Sequence, residues 1–152
     1  MATLSLDSAR ALLAGDDIDR RRLNEAVARA MDPPWERVEG DCPGWERVET
    51  RKYVGRISYQ ERVRVNRECP PAHLSDDPRL NREMREALRL ACVGTIRMVF
   101  TDHQVSVSIP ADLDDPNPLL WAVHTGSTEA EALVLALAAA GLLKEDDHEH
   151  QG

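Results

Sequence analysis

Val105-Ser106-Val107-Ser108-Ile109 alternates apolar and hydroxyl-bearing side chains one by one. A strand points successive side chains to opposite faces, so this stretch predicts a strand with one packed face and one freer face. Ile96-Arg97-Met98-Val99-Phe100 precedes it as a second strand, across the short connection Thr101-Asp102-His103-Gln104. That connection is too short for a crossover, which makes the pair antiparallel. A loop carrying Asp112, Asp114, Asp115, Pro116 and Pro118 leads to a third strand, predicted over residues 119–125. Gly126-Ser127-Thr128 then opens a helix, with Thr128 and Glu131 spaced as a capping box. From Ala132 to Leu143 this helix is apolar on nearly every side, which predicts burial against a sheet and a neighbour. Leu135 and Leu137 belong to its buried set.

Towards the N-terminus the period changes from two to three and four. Leu80, Met84, Ala87, Leu88 and Ala91 form one stripe of an amphipathic helix whose other face carries Arg82, Glu83, Arg85, Glu86 and Arg89. Asp76 or Asp77 supplies its cap, Pro78 suits its first turn, and Gly94 is placed to end it. Leu23, Ala26, Val27, Ala30 and Met31 form a second stripe, capped by Asp17 and stopped by Pro33-Pro34. A short helix over 6–13 has Ser5 as its cap. The sum is an α+β fold: an antiparallel sheet of three to four strands flanked by helices, in an α/β/α sandwich-like arrangement. One domain covers residues 1–145, with a long insertion near 33–77, and 146–152 is read as a flexible acidic tail.

The insertion has its own character. Trp-Glu-Arg-Val-Glu occurs twice, at Trp35–Glu39 and Trp45–Glu49, around Gly40-Asp41-Cys42-Pro43-Gly44, which resembles two arms of a hairpin. Strand signals continue over 53–59 and in the alternation of Arg62, Val63, Arg64 and Val65. Between Glu46 and Glu68 seven cations face four carboxylates, although the chain as a whole has a formal net charge of -8. Tryptophan, tyrosine and arginine are the side chains that most often anchor interfaces. Trp35, Trp45, Arg51, Lys52, Tyr53, Arg56 and Tyr59 are therefore the expected binding residues.

Other groups carry less chemistry. His103 sits beside Asp102 in a turn, and adjacent side chains on an extended backbone point apart. His124 lies on the strand face opposite Val123, with no third ligand in view for a metal. The spacing of Asp112, Asp114 and Asp115 fails the calcium-loop pattern, which requires a Gly at the sixth position and a Glu at the twelfth. His148 and His150 stand in the tail without supporting groups. Gly126-Ser127-Thr128 offers free amides at a helix start, an anion-binding geometry shared by most helices. Cys42, Cys69 and Cys92 are too widely spaced for a zinc site, and their odd number fits no closed disulfide framework, so free thiols are expected. No catalytic set, metal or cofactor is predicted. The acidic balance disfavours nucleic acid, whose affinity comes from cations that release counterions. No stretch predicts a membrane span, and the reading is of a cytoplasmic protein.

Arg22-Leu23-Asn24-Glu25-Ala26-Val27-Ala28-Arg29-Ala30-Met31, followed by Trp35, resembles the opening of the phage ABA sandwich domain family. Leu120 to Ala132, with its Trp121, Gly126, Thr128 and Glu131, resembles that family's last strand, turn and helix start. The resemblance covers about half of the chain and implies a helix layer, an antiparallel sheet and a second helix layer, with the segment from Pro33 to Asp77 inserted. It implies no catalytic residue. The functional expectation is a non-enzymatic interaction or accessory protein of phage or prophage origin, binding a protein partner or its own copy. The alternative is a binding module for nucleic acid or a small anionic or nucleotide ligand.

Overall fold

Residues 2–52, 55, 57–65, 67–93 and 95–145 are described by the structure, a computed structural model. The expectations placed on Tyr53, Arg56, Gly94 and the tail 146–152 fall outside the described residues. The elements run β1 (Ala2–Thr3), α1 (Leu6–Leu13), α2 (Asp17–Arg29), β2 (Glu36–Val38), β3 (Gly44–Lys52) and β4 (Ser58–Val65). A 3-10 turn (His73–Ser75) and α3 (Pro78–Ala91) follow, then β5 (Arg97–Phe100), β6 (Val105–Pro110), β7 (Trp121–Gly126), α4 (Glu129–Ala139) and β8 (Lys144–Glu145). The α+β class holds, but the strands divide into three antiparallel sheets, β1-β8, β2-β3-β4 and β5-β6-β7. The insertion pairs with itself and builds a sheet of its own, so the C-terminal sheet gains no fourth strand.

Local chemistry sets the helix ends. The Ser5 hydroxyl accepts from the Ser8 amide at 3.1 Å, the Asp77 carboxylate accepts from Arg79, and Thr128 Oγ1 accepts from Glu131. The cap of α2 is Asp16 rather than Asp17: its carboxylate accepts from the Asp19 amide at 2.9 Å. Asp17 is thereby the first helical residue, where its charge still favours the positive helix end. The core gathers Leu23, Ala26 and Val27 of α2, Met84 and Leu88 of α3, Val105, Val107 and Ile109 of β6, and most of α4. Leu135 and Leu137 are both buried, as the all-apolar helix requires. All three cysteines are free.

The hairpin read from the repeated pentapeptide exists, with Glu36 opposite Glu46 and Val38 opposite Gly44. Of the strand expected over 53–59, Ser58 and Tyr59 belong to β4, where they pair with Lys52 and Arg51. Gly55 has φ of 118°, a conformation that favours glycine, and positions 53, 54 and 56 lie outside the described residues. The histidine of the 3-10 turn is buried and ties the return loop to α2. Its amide donates to Asn24 Oδ1 at 2.8 Å, and Asn24 Nδ2 donates to the Pro71 carbonyl. His73 Nδ1 lies 2.9 Å from that same carbonyl, which can only accept, so the proton sits on Nδ1.

Candidate interaction surface

The expected binding residues of the insertion are placed in two ways. Trp45 is 0% exposed and Trp35 4%, and both belong to the hydrophobic core. These two of the expected binding residues therefore pack into the core rather than lie on the surface. Trp45 Nε1 donates to the Glu68 carbonyl at 3.1 Å, and the Arg29 guanidinium lies over its ring. Arg47 stacks on Trp35 at 4.4 Å while pairing with Glu83 and with Glu49. The cations farther out are largely occupied as well. Glu49 and Glu61 stand directly opposite each other, a repulsive pair, and Arg51 bridges them at 3.2 and 3.1 Å. Arg62 pairs with Glu46. Lys52 and Tyr59 are exposed near the hairpin end.

His103 and His124 are placed differently: His103 is exposed in the β5–β6 turn, whereas His124 is buried on the inner face of the sheet, opposite Val107. Among the described residues no group of three or more His, Cys, Asp or Glu side chains is placed to hold a metal ion. The start of α4 is filled by the protein's own carboxylates. The Ser127 amide donates to Glu131, and the Ala130 amide donates to Asp76 Oδ1 at 3.2 Å. Two anions already meet the amides that a phosphate would use.

The unusual arrangement lies in β7. Its sequence is Trp-Ala-Val-His-Thr-Gly, and polarity alone would turn Val123 inward and His124 outward. The structure does the opposite: His124 is 5% exposed and Val123 59%. Neither ring nitrogen of His124 has a hydrogen-bond partner among the described residues. Burial, and secondarily the positive charge of Arg10, lowers its pKa below the ordinary 6.5, so the ring is held neutral. The register explains the inversion. Val105 stands opposite Gly126 and Val107 opposite His124. Gly126 presses on the start of α4, where a Cβ would come 2.7 Å from the Ala132 amide nitrogen. A slip of one residue would bring Thr125 against the helix, so the glycine fixes which face is which.

The outer face of β5-β6-β7 therefore carries Arg97, Val99, Trp121, Val123 and Thr125 around Ser106 and Ser108. Between β5 and β7 the Ser106 and Ser108 side chains are only hydroxymethyl groups, and Arg97 on β5 reaches across to stack on the Trp121 ring at 4.0 Å. Val99 is 56% exposed, and Leu119 and Leu120 beside β7 are exposed almost throughout. A cleft of about 580 Å³ runs between Val93, Arg97, Pro116, Pro118, Leu119 and Trp121. Neither Trp121 nor Val123 stands out in the sequence as a surface residue. The available signal was the placement of Gly126 at odd spacing from both, on the face opposite theirs. Comparison with protein-family models, with curated proteins and with solved structures gives no match for this chain.

Proposed function

We propose that this chain is a non-enzymatic interaction protein whose contact surface is the outer face of the C-terminal sheet. The observation that carries this reading is the inverted strand β7. Burying His124 without a partner costs about 1–3 kcal/mol, and the exposed Val123 forgoes the gain of its own burial. Local rules broken together in this way are characteristic of functional surfaces. Here the result is a face that exposes Val99 and Val123 near the half-buried Trp121 ring, with Leu119 and Leu120 exposed at its edge, apolar side chains of the kind that contact patches present.

The nucleic-acid alternative draws less support. The arginines that suggested it are largely engaged with Glu46, Glu49, Glu61 and Glu83, and the chain's net charge is -8. The small-anion alternative is weakened by the carboxylates that already occupy the start of α4. No helix among the described residues is long and apolar enough to cross a membrane. The resemblance to the phage ABA sandwich family supplies a proposed setting, a phage or prophage accessory factor acting in the cytoplasm. A direct test is cross-linking in cells followed by mass spectrometry, with wild type beside a Val99→Glu, Val123→Glu double variant. A partner cross-linked through residues of the outer face and lost in the folded variant is expected. Cross-links that persist unchanged in the variant would contradict the proposal.

A further inference from the structure

Arg97 differs in its surroundings from the other arginines of the sheets. Arg37, Arg47, Arg51, Arg62 and Arg64 each reach a carboxylate. Arg97 is exposed, and among the described residues its one recorded contact is the Trp121 ring. It stands at the edge of the 580 Å³ cleft, whose other walls are the apolar Val93, Pro116, Pro118, Leu119 and Trp121 together with Thr95 and Asn117. Stacking holds the guanidinium plane in place while leaving its N–H edges free, an arrangement prepared for a bidentate acceptor.

We propose that this cleft takes an extended segment of a partner protein in which a carboxylate side chain stands two residues from an apolar one. This rests on the reading of the outer face as the contact surface. The spacing follows from strand geometry: alternate side chains of an extended chain point the same way, so residues i and i+2 can enter one cleft together. The carboxylate meets the Arg97 guanidinium, and the apolar side chain packs on Leu119 and Trp121. The cleft volume lies within the range of pockets that take a few side chains. A polyphosphate would set several negative charges against one guanidinium, beside a loop that carries Asp112, Asp114 and Asp115, whereas a single carboxylate is matched by Arg97. A second copy of the chain is a weaker occupant, since each copy brings a net charge of -8.

The test uses the full chain, labelled with nitrogen-15, and the blocked pentapeptide acetyl-Leu-Ser-Glu-Ser-Leu-amide. Its counterpart with Gln in place of Glu serves as the neutral probe. The chain has three tryptophans, so its indole N–H signals are few and separately assignable. The Glu peptide should shift the Trp121 indole signal progressively and leave those of Trp35 and Trp45 in place. The Gln peptide, or the variant Arg97→Gln with the Glu peptide, should weaken the apparent Kd about tenfold. Arg97→Lys should recover part of the loss. Equal shifts from the Glu and Gln peptides would overturn the carboxylate assignment while leaving the outer face as a contact surface. No shift at Trp121 from either peptide would overturn the cleft as a peptide site. A dimer by light scattering that Arg97→Gln dissociates would replace the peptide with a second copy of the chain. If the Val99→Glu, Val123→Glu variant also kept every cross-link, the contact-surface reading itself would fall.

Discussion

Each of the three tryptophans carries an arginine over its ring, and the three pairs have different fates. In the insertion, Trp35 and Trp45 are core residues. Arg47 over Trp35 is 11% exposed at its side chain and is held by Glu83 and Glu49. In the C-terminal sheet, Trp121 is half-buried, and Arg97 over it has no carboxylate among the described residues. The side-chain chemistry is the same in both places. What separates a structural pair from a surface pair is register and neighbours. Trp45 lies under Arg29 of α2 and donates to the Glu68 carbonyl, whereas Ser106 and Ser108 on the outer face of β6 stay partly exposed.

The sharpest contrast between the two regions is the cost of removing a ring. Trp45→Ala should leave a large cavity and destabilise the protein by about 3–5 kcal/mol in chemical denaturation. Trp121→Ala should cost less than about 1 kcal/mol and abolish the peptide-induced shifts. Equal costs would erase the distinction. Gly126→Ala tests what fixes the inverted strand. The added methyl has nowhere to go beside Ala132, so a loss of about 1–3 kcal/mol is expected. A neutral result would mean that another contact sets the register.

His124→Leu should raise stability by roughly 1–3 kcal/mol at neutral pH, because an unpaired buried polar ring is replaced by an apolar side chain of similar size. The pH dependence has a definite sign. Burial lowers the pKa of both His124 and His73 in the folded protein. Below about pH 6.5 the unfolded chain therefore takes up protons that the native rings refuse. Stability is complete above that value and falls as the pH drops towards the folded-state pKa values. In His124→Leu the fall should be shallower, with the part due to His73 remaining. An unchanged slope would contradict the buried placement. The smallest effect belongs to the ribbon surface. Arg51→Gln with Lys52→Gln should change stability by less than about 1 kcal/mol and leave the Trp121 shifts intact. A loss of peptide binding there would return the contact to the insertion.

Much of the fold was legible because local rules and tertiary packing agree. The caps at Ser5 and Thr128, the stripe through Met84 and Leu88, and the apolar girth of α4 follow from local chemistry alone, and the structure settles the α3 cap on Asp77 of the two candidates Asp76 and Asp77. The tryptophans of the insertion misled because the same side chain serves cores and interfaces, and composition carries no information on what packs against it. The division into three sheets was hidden because strand signals do not name their partners. β7 was the least legible element. Val123 and His124 are neighbours in sequence, so their placement depends on the contact between Gly126 and Ala132 rather than on polarity.

The central claim is that β7 is turned with Val123 outward and His124 inward, and solvent paramagnetic relaxation by an inert soluble radical reads this directly. At a protein concentration where light scattering gives a monomer, the methyl signals of Val99 and Val123 should broaden strongly. Those of Val107 and the ring protons of His124 should stay sharp. Strong broadening at His124 with protected Val123 methyls would place the strand in the opposite register and contradict the account.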